Sequence, residues 1–179
     1  MTVSEPNQPF QVFLEELINI GWIETAKWLK ATNVGELRQL MGETSRPGFT
    51  RTHKKINNKA WLGLVVKTAP KTEVGVDLEL IQNRNLLAKN RRETALKLGL
   101  PEDAAEREIV VTWSAMEAGV KALSQYDQLF ADVGWRNLRP LAGGGFNAFH
   151  DGRCVRRIEI RQRVEDSWVL SFARCYSPA

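Results

Sequence analysis

Apolar residues at helical spacing open the chain. Between residues 10 and 30, large apolar side chains recur every three or four positions, a pattern typical of helices that bury one face. Gly21 interrupts the pattern, so we predict two short helices, one on each side of it. A further short helix is predicted over residues 35–41, followed by a loop over residues 42–49 that contains proline and glycine.

Two buried strands are predicted in the middle of the chain. Residues 50–59 are polar and basic around His53, and we assign them to a loop. Residues 60–67 form a continuous apolar run that is short enough for a buried strand, and Pro70 ends it. In residues 74–79 acidic positions alternate with apolar ones, which predicts a second strand.

Two helices and a strand-rich tail are predicted in the second half. Helical spacing over residues 86–98 predicts the first helix. Pro101 and the two acidic residues after it suit the first turn of a helix, so we predict that a long helix runs from Pro101 to residue 125. Residues 155–164 and 168–175 flank a polar turn, which predicts an antiparallel hairpin.

The long predicted helix has an apolar face with an acidic and a basic residue on its margin. At about 100° per residue, five side chains fall in one arc that we expect to face the core: Ile109, Trp113, Met116, Val120 and Leu123. Glu117 and Lys121 stand at the margin of this arc, where a partly buried side chain still reaches solvent. An ordinary surface ion pair would have the same four-residue spacing.

Three carboxylates are candidates for a metal site. Asp77 and Glu79 would leave the same face of their strand, because side chains alternate along a strand. With Glu117 from the long helix they would form a hard, oxygen-rich site suited to Mg²⁺. By themselves the two strand residues would favour a solvated sheet edge, but together with the helix motif they favour the metal site.

Size and composition narrow the class of protein. With 179 residues, the chain is one domain or two small halves that share a core, since domains commonly run about 100–200 residues. No apolar run approaches the roughly 18 residues that span a bilayer, and the polar start carries no secretory signal. We therefore expect a cytoplasmic protein outside the membrane. Cys154 and Cys175 match no zinc spacing, and we expect two reduced, partly buried thiols.

The charge pattern suggests an acidic partner. The net charge of +4 is too small to demand nucleic acid, and no nucleic-acid motif or stacking aromatic stripe accompanies it. An acidic protein or a phosphorylated substrate would suit this charge. In the hairpin Arg157, Arg161 and Arg163 would share one face, which an ordinary solvated sheet surface explains.

Three short blocks of the chain occur in a characteristic order: Thr52-His53, then Gly75-Val76-Asp77-Leu78-Glu79, then the stretch from Trp113 to Lys121. They look like the Ser-His, Gly-x-Asp-x-Glu and Trp-Ser-x-Lys-Glu-x-x-x-Lys blocks of the 4′-phosphopantetheinyl transferases. The chain resembles especially the larger, pseudo-dimeric members of that family, over about residues 46–125. It departs from the family at Met116, where the family has lysine, and at Thr52, where it has serine. A third departure is the amino-terminal portion, which is predicted to be helical and is short and divergent compared with the larger members of the family.

The resemblance implies a fold and a reaction. The fold would be α+β, with two pseudo-related halves at residues 1–70 and 71–179, each a helix packed on a small antiparallel sheet. The metal and the nucleotide would lie in the cleft between the halves. The reaction would transfer the phosphopantetheine arm of coenzyme A to a serine of an apo acyl or peptidyl carrier protein and release adenosine 3′,5′-bisphosphate.

The resemblance also implies roles for single residues. Asp77, Glu79 and Glu117 would bind Mg²⁺; Arg46, His53 and Lys121 would hold coenzyme A. Glu117, directly or through a metal-bound water, would take the proton of the serine, and Lys121 would neutralise phosphate charge. The basic residues that would dock an acidic carrier protein are Arg84, Lys89, Arg91 and Arg92. A chain with both halves builds its own cleft and could act as a monomer.

Two alternatives stay open. Met116 lies near the centre of the apolar arc, where methionine fills gaps in a core, but it also removes a cation that the family uses. A catalytically impaired relative that binds coenzyme A or a carrier protein without transfer is therefore the second hypothesis. At His53, the neighbours Lys54 and Lys55 also allow a generic anion site.

Overall fold

Two antiparallel β-sheets with helices on their faces make up the described part of the chain. The structure, a computed structural model, describes residues 8–42, 48–57, 60–82, 91–124, 138–141 and 144–177. Within these residues the architecture is mixed α+β, with four helices and eight strands. Both sheets pair neighbouring strands in antiparallel register throughout.

The first sheet has three strands, in the order β1-β3-β2. Its elements and the helices beside it are α1 (Gln8–Asn19), β1 (Ile23–Ala31), α2 (Val34–Met41), β2 (Phe49–Asn57) and β3 (Ala60–Thr68). Asn33 caps α2, because its side chain accepts a hydrogen bond from the Glu36 backbone N–H. Leu37 and Met41 of α2 are buried on the outer face of this sheet.

The second sheet has five strands, in the order β4-β8-β7-β6-β5. Its elements are β4 (Glu73–Leu80), α3 (Arg91–Lys97), α4 (Glu106–Ser124), β5 (Leu138–Pro140), β6 (Phe146–His150), β7 (Arg153–Val164) and β8 (Trp168–Tyr176). Strands β7 and β8 form the hairpin predicted from the sequence. The sheet has one helix layer on each face: α4 packs on one side and α1 on the other.

The main core fills the space between the two sheets. Helix α1 contributes Phe10, Phe13, Leu14 and Leu17, which pack with apolar residues of β3, β4 and β8. The ring of Phe13 meets that of Phe172 edge to face, with centroids 5.9 Å apart. One shared core therefore joins the two sheets.

The edges of the two sheets also meet, where β2 lies beside β4. The hydroxyl of Thr50 accepts a hydrogen bond from the Val76 backbone N–H at 3.3 Å, and that of Thr52 accepts from Leu78 at 3.1 Å. These hydroxyls satisfy backbone donors of β4 that face away from its partner strand β8. Threonine side chains therefore fix the position of β2 along β4.

Three sequence predictions are wrong. The segment after Gly21 is strand β1 instead of a second helix; side chains at residues 25–28 alternate between exposed and half-buried, the period of a strand. Residues 50–57 belong to strand β2 instead of a loop. The sequence carries no hydrophobic signal for this strand, because its buried face carries threonine rather than large apolar residues. The long helix begins at Glu106, since the segment from Pro101 to Ala104 forms a turn closed by a 3.0 Å backbone hydrogen bond.

The other predicted elements are confirmed where the structure describes them. They are the first and third amino-terminal helices, the strands at residues 60–67 and 74–79, the helix that ends near Gly99 and the carboxy-terminal hairpin. Arg157, Arg161 and Arg163 do lie opposite the buried Ile158, and Arg161 forms an ion pair with Glu16 of α1 at 3.1 Å. None of the described helices is long and apolar enough to cross a membrane.

Candidate functional site

Strand β4 places two acidic side chains under helix α4. Asp77 and Glu79 are each only 4% exposed, and they share the face of β4 that also carries Gly75. The opposite face of the strand, with Val76 and Leu78, belongs to the core between the sheets. Two buried carboxylates on one strand face need charged or polar partners, because burial strongly disfavours an isolated charge.

Gly75 explains how α4 comes so close to these carboxylates. A Cβ atom at Gly75 would lie 2.0 Å from the carbonyl oxygen of Ala118 and 2.4 Å from the backbone nitrogen of Ala122. Only a glycine allows the helix backbone to rest directly on β4. This contact brings the turn of α4 that contains Glu117 and Lys121 over the acidic face of the strand.

Asp77 is bound through one oxygen only. Its Oδ1 accepts a 2.6 Å hydrogen bond from Lys121 Nζ and a long, 3.5 Å hydrogen bond from the Thr52 hydroxyl. Its Oδ2 is buried and has no hydrogen-bond partner among the residues that the structure describes. A buried carboxylate oxygen without a partner is costly, and a bound cation would remove that cost.

Glu79 is paired with a lysine from the other sheet. Lys54 of β2 forms an ion pair with Glu79 Oε2, and the lysine side chain is 26% exposed. His53, one position earlier, leaves the opposite face of β2, where its ring lies 5.8 Å from that of Trp61. Burial lowers the pKa of His53, and the nearby charges of Lys121, Arg38 and other cations lower it further. Burial and the neighbouring cations thus favour the neutral form of this histidine.

Glu117 lies beside the same group of charges. Burial raises the pKa of Glu117; the Lys121 charge lowers it, the Asp77 charge raises it and the Lys54 charge lowers it. The half-buried Glu117 carboxylate is therefore within electrostatic reach of both lysines and of Asp77. Helix α4 thus brings Lys121 onto Asp77, which shares its strand face with Glu79. Glu117 lies on the same turn of α4 as Lys121, whereas the predicted His53 leaves the opposite face of β2.

The donor set suits a hard divalent cation. Carboxylates are the ligands that Mg²⁺ prefers, and the unpartnered Asp77 Oδ2 is free to accept one. Within the described ranges, no three His, Cys, Asp or Glu side chains already surround a common metal position. Lys121 and Lys54 instead neutralise Asp77 and Glu79. For Mg²⁺ to bind, these ammonium groups would move aside.

A buried network of hydrogen bonds holds α4 in its position on the five-stranded sheet. The hydroxyls of Ser114 and Ser171 are 2.7 Å apart, and both residues are fully buried. Gln162 Nε2 donates to the Ser171 hydroxyl at 2.8 Å and to the Val111 carbonyl at 2.9 Å. Ser171 is the register partner of Asp77 across β4 and β8. The network therefore anchors α4 one turn before Glu117.

The remaining predicted residues have varied positions. Arg46, Arg84 and Lys89 lie outside the described residues. Arg91 donates to the Ala104 carbonyl at 2.6 Å, and the exposed Arg92 pairs with Glu102 at 2.5 Å.

Both cysteines are free thiols. Burial is the main cause that raises the pKa of Cys175 to about 12.

Met116 belongs to the core. Its side chain is 6% exposed and packs in the apolar cluster between α4, α3 and the five-stranded sheet. The core interpretation of this position is therefore confirmed. A cation from this position of the helix would have to leave the core to reach a phosphate.

Sequence reasoning missed several residues of this site. Lys54 was missed because its segment was assigned to a loop. The roles of the Thr50 and Thr52 hydroxyls depend on the contact between β2 and β4, which the sequence does not predict. Ser114 stands next to Trp113 in the helix motif, but serine in a helix is usually exposed or a cap. Its pairing with Ser171 depends on the fold of the sheet.

Comparison with known proteins finds no protein family that matches the chain and no curated protein that matches it. The residues and their geometry therefore carry the functional argument.

A cavity lies where the first sheet meets the second, near the first residues of β2 and β4. It has a volume of about 650 Å³ and is lined by the starts of β2 and β4 and by the turn between β3 and β4. Phe49, Lys67, Lys71 and Glu73 are among the residues around it. Glu73 at this cavity and Asp77 are four residues apart on β4, and helix α4 rests on the strand between them, at Gly75.

Proposed function

We propose that the chain is a Mg²⁺-dependent 4′-phosphopantetheinyl transferase, which moves the phosphopantetheine arm of coenzyme A to a serine of an apo carrier protein. The observation that carries this proposal is the environment of Asp77, whose one oxygen binds Lys121 while the other is buried without a partner in the described residues. Glu79 and Glu117 stand beside it. All four residues belong to the motifs that resemble this family.

The fold expected for such an enzyme is compatible with the two-sheet architecture. Each sheet carries a helix on its outer face, α2 on the small sheet and α4 on the large one. We infer that these units correspond to the two pseudo-related halves. The junction of β2 and β4 would then be the cleft that holds coenzyme A, with the cavity of about 650 Å³ at its nucleotide end.

In the proposed mechanism Asp77, Glu79 and Glu117 hold Mg²⁺, which would draw negative charge from the pyrophosphate of coenzyme A when bound. Lys121, released from Asp77, would bind a phosphate oxygen and stabilise the charge on the leaving group. His53 and Arg46 would bind other phosphates of the substrate. Neutral His53 would do so as a hydrogen-bond donor, because its pKa is lowered.

The transfer step needs a base for the carrier serine. The serine oxygen would attack the phosphorus that bears the pantetheine arm, and the bond from that phosphorus to adenosine 3′,5′-bisphosphate would break. Glu117 would accept the serine proton, directly or through a water molecule. Because Mg²⁺ on this carboxylate would make it a weaker base, transfer of the proton through a water molecule is the preferred route.

The proposed partner is an acidic acyl or peptidyl carrier protein in the cytoplasm. Arg92 of α3 is exposed, and with Arg84, Lys89 and Arg91 it forms the proposed docking group. Opposite charges on the two surfaces would steer the encounter. Because both sheets come from one chain, we propose that a monomer is sufficient for activity.

The second candidate is a relative that binds coenzyme A or a carrier protein without transfer. The burial of Met116 favours it, since helix α4 then offers only one cation, Lys121, to the phosphates. Met116→Lys separates the candidates. Transfer that appears only in this variant would support the impaired relative, whereas transfer by the wild-type protein would refute it.

Intact-mass measurement tests the proposal. The purified protein is incubated with coenzyme A, Mg²⁺ and a panel of apo carrier proteins, and the mass of each carrier is recorded. We expect one or more carriers to gain a phosphopantetheine arm, and we expect the gain to disappear without Mg²⁺ or with Asp77→Ala. An unchanged panel, with coenzyme A still bound, would favour the non-catalytic relative.

A further inference from the structure

Lys54 occupies a position in the acidic cluster that no sequence motif assigns. Its strand is fixed against β4 by the hydrogen bonds of Thr50 and Thr52 to the β4 backbone. Side chains alternate along β2, so Lys54 leaves the same face as these threonines and reaches Glu79. Its ammonium group is thus held at the junction of the two sheets by the fold, independently of α4.

The lysine is also accessible from solvent. Its side chain is 26% exposed, whereas that of its partner Glu79 is 6% exposed. A ligand that enters the junction would therefore meet the ammonium group before the carboxylate. Lys121 has a similar position on the other side of the cluster, with a side chain that is 32% exposed. The acidic pair thus lies between two accessible ammonium groups.

The balance of charge indicates what the two lysines do when a metal binds. Asp77, Glu79 and Glu117 carry three negative charges when ionised, and Lys54 and Lys121 supply two positive charges. The cluster is left with one net negative charge. A divalent cation on the carboxylates would reverse this sign and release both ammonium groups for an anion. Such a site would bind pyrophosphate only after the metal.

The burial of Met116 leaves Lys121 as the lysine that helix α4 offers to the acidic cluster. Position 116 lies in the core cluster of α4, so a lysine there would have to extend out of the core to reach a ligand. Lys54 lies at the cluster already and comes from the opposite strand. Lys54 can therefore supply a positive charge to an anion from strand β2, on the side of the acidic cluster opposite to helix α4.

We propose that Lys54 is a binding residue for the pyrophosphate of coenzyme A and supplies the positive charge that is absent at Met116. In the absence of ligand it rests on Glu79 and competes with Mg²⁺ for that carboxylate. The inference rests on the proposed function, and it extends that function by a residue from the first sheet.

Calorimetric titrations of folded variants test the role of Lys54. Lys54→Gln keeps a hydrogen-bond donor for Glu79 but removes the charge. We expect it to weaken coenzyme A binding in the presence of Mg²⁺ by about tenfold or more, the effect of one charge-assisted hydrogen bond. We expect it to bind Mg²⁺ alone more tightly than the wild-type protein does. Lys54→Arg, which keeps the charge, should restore most of the coenzyme A affinity.

Lys55 provides the matched control. It is the next residue of β2, is exposed and leaves the opposite face of the strand. Lys55→Gln should bind coenzyme A and Mg²⁺ as the wild-type protein does. Circular dichroism and urea unfolding would first establish that each variant is folded.

The outcomes separate this inference from the proposed function. If Lys54→Gln binds coenzyme A within twofold of the wild-type affinity, or loses affinity for Mg²⁺ alone in the same proportion, the inference is overturned. If the wild-type protein binds no coenzyme A, the proposed function fails, and inorganic pyrophosphate with Mg²⁺ then tests Lys54 separately. Pyrophosphate binding that depends on Lys54 would support the anion-binding role, and binding that does not would overturn it.

Discussion

Replacing Gly75 by alanine should separate helix α4 from strand β4. The added Cβ would lie 2.0 Å from the Ala118 carbonyl oxygen and 2.4 Å from the Ala122 backbone nitrogen. Both neighbours are backbone atoms of one helix, so no side chain can rotate away to make room. Because real Cβ contacts begin near 3.0 Å, the helix would have to retreat by about 1 Å.

The expected effect is large for stability and for the site. A gap of about 1 Å removes a quarter to a half of the dispersion energy of the facing atoms, and an overpacked core typically costs about 1–3 kcal/mol. We therefore expect Gly75→Ala to lower the free energy of unfolding by about 3 kcal/mol. The 2.6 Å hydrogen bond from Lys121 to Asp77 would then persist only if the lysine side chain changed its conformation.

Urea unfolding followed by tryptophan fluorescence measures this loss, because the midpoint and slope give the free energy of unfolding. Gly119→Ala is the matched control on the same helix. The nearest atoms to its Cβ would be side-chain carbons of Leu138 and Ile158, at 3.4 Å or more, and alanine favours a helix over glycine by up to about 1 kcal/mol. The control should be as stable as the wild-type protein or more so. A Gly75→Ala variant within about 0.5 kcal/mol of wild type would refute the close contact.

Three further predictions follow from single residues. Asp77→Ala should abolish Mg²⁺-dependent transfer and leave the circular dichroism spectrum largely unchanged, because the Lys121 ammonium group that loses its partner is partly exposed to water; normal transfer by this variant would refute the assignment of Asp77 as a metal ligand. Ser114→Ala should lower the free energy of unfolding in urea by about 1–3 kcal/mol, since it removes one member of a fully buried hydroxyl pair; an unchanged midpoint would contradict the network. Cys175, with a pKa of about 12, is about one part in ten thousand thiolate at pH 8. A thiol reagent should therefore modify Cys154 first, and equal rates for both cysteines would contradict the burial of Cys175.

The sequence predicted those elements whose burial rests on large apolar side chains. The run at residues 60–67 and the helical spacing of α1 and α4 are such cases, because periodicity reports which face meets the core. The strand nature of residues 74–79 also followed from strict alternation. From it came the correct expectation that Asp77 and Glu79 share a face.

The missed features depend on contacts between distant segments. Strand β2 buries Thr50 and Thr52 against the backbone of β4, and polar residues give no hydrophobic signal. The segment at residues 23–31 has the mixed composition of a helix, and its pairing with β3 decides that it is a strand. Lys54 could not be placed beside Glu79 before these two strands were brought together.

The central claim is that the chain transfers phosphopantetheine, and the most direct test counts both products of that reaction. A carrier protein that responds in the mass assay is incubated with the protein, coenzyme A and Mg²⁺, and the amounts of holo-carrier and adenosine 3′,5′-bisphosphate are measured over time. We predict that the two products form in equal amounts and that neither forms without Mg²⁺. Release of adenosine 3′,5′-bisphosphate without modification of the carrier, or a panel in which no carrier gains mass, would contradict the claim.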